Sequence, residues 1–243
     1  MSELDLRFIG TGNAFAPGGL CWNGFLLEGR YLFEAPPQAL QSLNGMGIDA
    51  NGIDAVVLSH HHGDHFLGLP FLFLQWKALN RTRPVRIIGP ENTRKLAVEI
   101  GEHVYPWLFE TGFEVEWEEV SGGSRSKVGG LSLSSVAVQH DRRLSGSLGF
   151  EIEIAGRRIG YTGDSALCDA VLDLARNTEV LVSECASVDE AMPTHMNLRD
   201  DIPRVRAAMR PGARLILTHL GPGVTADGLK NTEIAQDFGV YRI

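Results

Sequence analysis

The 243-residue sequence predicts an α/β protein, a single domain over residues 1–243 built as an αββα sandwich: two mixed sheets face to face with helices outside. Three observations predict it. Strands come in meanders that alternate with helices in both halves of the chain. The length is enough to bury a substantial core without disulfides or a structural metal. No internal repeat at a solenoid period and no long linker divides the sequence.

The elements follow in order from period and punctuation. Leu4 to Ile9 alternates apolar and polar residues as a strand does, and Gly10-Thr11-Gly12-Asn13-Ala14-Phe15 breaks it. Gly10-x-Gly12 with the later acidic Glu34 invites a dinucleotide-site reading, which fails. Phe15 replaces the third glycine, and Ala16-Pro17-Gly18-Gly19 cannot supply the helix N-terminus that would hold a pyrophosphate. Asn23 to Glu28 and Arg30 to Ala35 are two strands joined at Gly29. Pro36-Pro37 opens a helix through Leu43, ended by Gly45 and Gly47. Ile53 to Leu58 reads as a buried strand, and His65 to about Leu79 as a helix apolar on most faces and hence buried.

Val85 to Ile88 is a short strand and Asn92 to Val104 a helix. Phe113 to Val120 alternates with period two, as a half-exposed strand should, and Ser121 to Lys127 is a flexible turn. Leu131 to Val138, Gly149 to Ile154 and Arg157 to Tyr161 complete a meander, with Ala155-Gly156 as a hairpin turn. A helix from Ala166 to Arg176, a strand Val180 to Ser183, a helix Arg199 to Met209 and a strand Leu215 to Thr218 close the chain.

A formal net charge of −8 leaves no electrostatic footprint for non-specific nucleic-acid binding, although bound divalent cations would offset it locally. Cys21, Cys168 and Cys185 are odd in number and widely spaced, without a Cys-x-x-Cys pair, so neither a disulfide framework nor a Cys₄ zinc site is implied. They read as core or loop residues in a reducing, cytoplasmic setting. Met1 to Phe8 lacks the apolar core of a signal peptide, and the charge-free run Phe66 to Trp76 is too short to span a bilayer, so no membrane anchor is expected.

The chemistry concentrates in Ser59-His60-His61-His62-Gly63-Asp64-His65, where four histidines and a carboxylate fall within six positions at the end of a buried strand. Imidazole nitrogen and carboxylate oxygen are ligands that Zn²⁺ and similar divalent ions favour, and a loop fixed by a core strand can aim several at one point. Read as His60-x-His62-x-Asp64-His65, the stretch resembles the metal-binding signature of the metallo-β-lactamase superfamily. That resemblance implies the same αββα fold with its ligands on loops at one edge. His61 occupies a variable position of the motif and is expected to point away or to act from behind the ligands.

Three later strands end in a residue of the right type. Val136-Ala137-Val138-Gln139-His140, Ile159 to Asp164 and Leu215 to His219 match, in order, further motifs of the superfamily. By resemblance, His60, His62 and His140 hold one metal, Asp64, His65 and His219 a second, and Asp164 bridges them. Two ions about 3.5–4 Å apart can activate a water nucleophile and polarise the scissile group. No serine or cysteine nucleophile is then required, and Gly-x-Ser-x-Gly is absent. The donor set suits Zn²⁺, with Mn²⁺ or Fe²⁺ as alternatives. His103, within a predicted helix, reads as a surface or packing residue.

Ser183-Glu184-Cys185-Ala186 followed by Thr194-His195-Met196-Asn197, together with Ser147 to Phe150 and Tyr161 to Asp164, looks like the ribonuclease Z and small-phosphodiesterase side of the superfamily. The resemblance assigns catalysis to Glu184 and His195 together with Asp64. His195 would be a general acid for the departing alkoxide and Glu184 its orienting partner. The alternative for His195 is a cap on the helix beginning near Asn197. Arg142 and Arg143 are candidates for a substrate phosphate, or solvated loop charges.

Two features depart from ribonuclease Z. Asp164 follows His140 by only 24 positions, too few for a protruding tRNA-gripping arm, and Cys185-Ala186 stands where Ala-Thr is typical. The expected activity is therefore hydrolysis of a small or cyclic phosphodiester, with RNA possible as a partner but not favoured. The alternatives are hydrolysis of a lactone, thioester or sulfate ester, and a non-catalytic metal-loaded carrier as in cofactor biosynthesis. A homodimer is an expectation from the family alone.

Overall fold

The computed structural model describes residues 3–243; Met1 and Ser2, at the head of the stretch expected to lead into the first strand, lie outside the described residues. The first sheet comprises β1 (Asp5–Gly10), β2 (Gly24–Leu27), β3 (Tyr31–Phe33), β4 (Ala55–Val57), β5 (Val85–Gly89), β6 (Val115–Glu119) and, at its edge, β14 (Val240–Arg242). The second comprises β7 (Arg125–Val128), β8 (Leu131–Ala137), β9 (Leu148–Ile154), β10 (Arg157–Tyr161), β11 (Val180–Cys185), β12 (Arg214–Leu220) and β13 (Thr232–Ile234). Strand order is β14-β1-β2-β3-β4-β5-β6 in one and β13-β12-β11-β10-β9-β8-β7 in the other. Each sheet is antiparallel through one run of four strands and parallel through the other.

Three apolar layers hold this arrangement. Between the sheets, Phe8, Phe25 and Phe33 meet Phe150, Tyr161 and Val182, with the Phe25 and Phe33 rings stacked 4.6 Å apart. Outside the first sheet pack α1 (Ala39–Gly45), α3 (Leu69–Ala78) and α4 (Thr93–Val104), burying Leu43, Phe73 and Trp76. Outside the second pack α5 (Asp169–Asn177) and α6 (Asp201–Ala208), burying Leu174 and Val205. Burying side chains of this size stabilises by roughly 1.5–3 kcal/mol each before conformational entropy is counted.

The αββα sandwich is thus as the sequence predicts, with local corrections. The expected His65–Leu79 helix is two: α2 (Gly63–Phe66) and α3, broken at Leu67-Gly68. Pro70 has no N–H to donate into the preceding turn, and a Cβ on Gly68 would stand 2.1 Å from the Pro36 carbonyl, so the chain bends against α1's approach. The break turns Leu67 and Phe71 to solvent, at 41% and 42% exposure, so the segment is not wholly buried. The expected flexible turn at 121–127 contains most of β7, an edge strand whose polar sequence hides its pairing with β8. Beyond Thr218, β13 and β14 continue the two sheets; β14 pairs with β1 through contacts no local pattern reveals. Among the described residues, no helix is long and apolar enough to cross a membrane.

Parallel pairing brings strand C-termini to one edge. β10, β11 and β12 run parallel, β8 runs the same way because two antiparallel steps separate it from β10, and β4 is delivered to the same rim from the other sheet. The seam between the sheets closes there: Leu148 N donates to the Ser59 carbonyl (3.0 Å), and a Cβ on Gly163 would stand 2.9 Å from that of Ser59. With φ of +57°, Gly163 occupies a conformation and a gap that only glycine fits.

Candidate metal centre

Seven side chains from this edge converge. The loop after β4 contributes His60 and His62, and the short α2 that follows it Asp64 and His65; the loops after β8 and β10 contribute His140 and Asp164, and His219 is the next-to-last residue of β12. One group joins His60, His62, His140 and Asp164, and another joins Asp64, His65 and His219, with ligand-type atoms within 4.8 Å of one another in each. In the first, His62 Nδ1 stands 3.0 Å from His60 Nε2 and 3.1 Å from His140 Nε2. In the second, Asp64 Oδ2 stands 3.3 Å from His65 Nε2 and 3.6 Å from His219 Nε2. Asp164 Oδ2 sits between the groups, 3.7 Å from His60, 3.3 Å from His65 and 3.2 Å from His219.

These spacings match what a tetrahedral ion requires, since ligand bonds of about 2.0–2.1 Å put neighbouring donors roughly 3.3 Å apart. The hydrogen-bond ledger agrees. Both ring nitrogens of His65 and of His219, and Asp164 Oδ1, are buried without any partner. Each such group left unsatisfied costs about 1–3 kcal/mol, and a cation between them would satisfy several at once. His219 also has φ of +49°, a strained backbone for a residue with a side chain, of the kind retained where function needs it. The residues present fit two divalent ions.

The far ring nitrogens fix which atoms face inward. His140 Nδ1 donates to the Thr194 carbonyl (2.9 Å), leaving Nε2 as a lone pair toward the cluster. His60 Nδ1 pairs with Ser59 Oγ (2.8 Å), and His62 Nε2 faces Asp141 Oδ2 at 3.5 Å. Burial holds His60 well below, and His140 below, the ordinary imidazole range, which favours the neutral rings a metal needs. His65 is also fully buried, but the Asp164 and Glu34 carboxylates outweigh burial and raise it well above that range. Burial works against the Asp164 anion too, yet His219 and His65 hold it well below the carboxylate range.

His195 stands at the edge of the cluster, grouped with Asp164 and His219 and stacked on His219 with centroids 5.4 Å apart. It caps no helix. Its Nδ1 is 2.9 Å from Glu184 Oε1, and α6 begins only at Asp201. Burial lowers His195, but the Glu184 hydrogen bond and charge outweigh it and push the imidazole up to about 9. Burial pushes the Glu184 carboxyl up, against the pull of His195. Because Ser165 N (2.6 Å) and Met196 N (3.2 Å) also donate to Glu184, its partners hold the anion and the shared proton rests on His195.

The other residues singled out in the sequence lie outside the two ligand groups. His61 turns away, with Nε2 2.7 Å from Thr93 Oγ1 and its ring edge-on to Phe66. Arg143 is committed to Asp141, whose carboxyl it holds below the usual range, whereas Arg142 lines the groove over the cluster with His62, His140 and His195. His103 is exposed on α4. Cys185 is buried; burial first and then the Glu184 charge push its thiol up to about 12.

Glu34 is not among the residues the sequence singles out for the metal centre, yet it lies directly behind it. Fully buried at φ of +65°, it accepts from the Tyr161 hydroxyl (2.8 Å) and Ser59 N (3.2 Å) and stands 3.6 Å from His65 Nδ1. Asn23 Nδ2 donates to Tyr161 Oη and Thr218 Oγ1 to Asn23 Oδ1, so a buried polar chain crosses both sheets beneath the cluster. Glu34 carries the same signal as His140 and Asp164, a titratable residue ending an apolar strand.

Known proteins share this fold. Residues 29–220 match the family model described as a beta-lactamase superfamily domain. Ribonuclease BN of Escherichia coli (O1:K1) is 25% identical over 306 residues, covering 99% of this chain and all of that protein. Among solved structures, the metallo-beta-lactamase fold protein YhfI from Bacillus subtilis superposes with a TM-score of 0.80 at 21% identity over all of both chains. The short form of human tRNase Z superposes with a TM-score of 0.76 at 22% identity, covering 98% of each chain. A diphosphatase from the PhnP family gives 0.78 at 19%, covering 99% of this chain and 98% of its own. The chain therefore belongs to the metallo-β-lactamase superfamily, on the branch related to ribonuclease BN and ribonuclease Z.

Proposed function

We propose that this chain is a dinuclear metal hydrolase that cleaves a phosphodiester, small or cyclic in preference to tRNA. The observation that carries the reading is the pair of ligand groups with Asp164 between them, and His195, held by Glu184, at their edge. His60, His62 and His140 would hold one ion, Asp64, His65 and His219 the other, and Asp164 both. Bound there, two divalent ions of zinc, or of manganese or iron, would supply Lewis acidity and water activation at neutral pH.

The protein's own groups do the rest. Nδ1–H of His195 stays on Glu184, which fixes the ring, so Nε2 is the atom left to give its proton to the departing alkoxide. Arg142, which lines the groove over the cluster, would pair with a non-bridging phosphate oxygen through its guanidinium fork. Thr194 holds His140 by its carbonyl one residue before His195, so substrate-side and metal-side groups share one backbone segment. Similarity to ribonuclease BN along the whole chain supports phosphodiester chemistry. The preference for a small substrate rests on the His140–Asp164 interval, which holds only the 141–147 loop and the β9–β10 hairpin.

Elemental analysis paired with hydrolysis of bis-p-nitrophenyl phosphate tests this. Turnover that disappears on chelation and returns with Zn²⁺ or Mn²⁺ is expected. A protein that binds metal but hydrolyses no phosphodiester would overturn the reading in favour of another ester or a carrier.

A further inference from the structure

Beside the groove over the cluster lies a cavity of about 670 Å³, within the roughly 300–1,000 Å³ that accommodates small organic molecules. Gln139, His140, Asp141 and Arg142 line both, so the two spaces adjoin along that segment. His195 lines the groove and not the cavity. The cavity walls carry apolar surface from Ala137, Val138 and Leu144. On its wall Ser147, nine-tenths buried, has a hydroxyl with no hydrogen-bond partner. At its rim stand the exposed carboxylates of Glu91 and Asp169, neither in an ion pair with a cation among the described residues.

The cavity is built in advance. Ser145 Oγ donates to the Glu91 carbonyl (2.6 Å) and lies 3.4 Å from His61 Nδ1. Thr93 spends its hydroxyl proton on the Pro90 carbonyl (2.6 Å), so His61 Nε2–H donates to Thr93 Oγ1. His61 thereby fastens the metal loop to α4, and Ser145 brings the 141–147 loop against the same point. This gives the superfluous histidine of the motif a task.

We propose that this cavity receives the substituent that stays on phosphorus, and that it takes an uncharged, ring-bearing group of nucleoside size. The proposal rests on the phosphodiester reading of the metal centre. With the departing oxygen at His195, the other ester arm crosses the His140–Arg142 segment into the cavity. The apolar walls take the faces of a ring, and Ser147, turning about its Cα–Cβ bond, offers one hydrogen bond. A second phosphate on that arm would face Glu91 and Asp169 and is repelled, which selects against an RNA strand with its phosphate at every residue.

The test compares three diesters sharing a p-nitrophenyl leaving group: methyl p-nitrophenyl phosphate, thymidine 5′-(p-nitrophenyl phosphate) and the latter's 3′-phosphate. In the metal-loaded full chain the thymidine ester is expected to exceed the other two in kcat/KM by about tenfold or more, chiefly through KM. Ala137→Phe, which fills the cavity, is expected to bring the thymidine-to-methyl ratio to within about twofold of unity. Glu91→Gln with Asp169→Asn, both at the exposed rim, is expected to raise the 3′-phosphorylated ester by about threefold or more relative to the thymidine ester. Thymidine alone, titrated into the full chain and followed by calorimetry, should bind wild type and not Ala137→Phe.

Diester turnover with equal rates for all three substrates, or without thymidine binding, overturns the cavity proposal and leaves the metal-centre reading intact. Thymidine binding without turnover of any diester overturns the metal-centre reading, and with it the assignment of the cavity to an ester arm.

Discussion

The two halves of the cluster are built by opposite means. In the half formed by His60, His62 and His140, the far nitrogens of His60 and His140 are hydrogen-bonded to Ser59 and the Thr194 carbonyl, and that of His62 faces Asp141 at 3.5 Å. That half also reaches solvent, the His62 side chain being 37% exposed. In the half formed by Asp64, His65 and His219, the two imidazoles are buried and have no hydrogen-bond partner on either nitrogen. Its neighbours are instead charges: Asp164 and, behind His65, Glu34. The first half is organised largely by hydrogen bonds that exist without a cation, whereas the imidazole nitrogens of the second make none and face carboxylates that a cation would share. The open half is the one that reaches solvent, and the imidazoles of the closed half lie buried between the sheets.

The bridging carboxylate is where this contrast breaks most completely. Asp164→Asn removes the charge common to both halves and is expected to lower turnover by roughly 10³-fold or more, with loss of metal from both sites by elemental analysis. His195→Ala leaves both halves in place, so metal content should stay at the wild-type level while kcat falls by about 10²- to 10⁴-fold. Full metal with full turnover would remove His195 from the chemistry.

Two carboxylates behind the rings sharpen the comparison. Glu34→Gln keeps an acceptor for the Tyr161 hydroxyl but takes the charge from behind His65, and should weaken the closed-half ion by about 10- to 100-fold in competition with a chelator. Asp141→Asn, on the solvent side and already paired with Arg143, should weaken the open-half ion by only about threefold or less. Equal effects would erase the distinction between the halves. At the small end, Cys185, with its thiol pushed up to about 12, should stay unreactive toward Ellman's reagent at pH 8 in the folded protein and react on unfolding.

Much of this is legible in the sequence because it is local or periodic. His60 to His65 declares its chemistry in six residues, and His140, Asp164 and His219 stand at strand ends where the topology brings them to one rim. What escapes depends on distant neighbours. β13 and β14 are strands because β12 and β1 offer them free edges, and the polar β7 because β8 does. The break before α3 comes from the Pro36 carbonyl meeting Gly68 across 32 positions of sequence. Glu34 escapes for a different reason: its place behind His65 shows only once β3 and β4 are side by side. The pairing of Glu184 with His195 follows from resemblance rather than spacing, because an irregular segment carries His195 back to β11.

The most direct test of the double centre is a crystal structure of the zinc-loaded protein with anomalous data across the zinc edge. Two peaks about 3.5–4 Å apart are predicted, one among His60, His62 and His140 and the other among Asp64, His65 and His219, with Asp164 between them. A single peak, or peaks away from these residues, would contradict it.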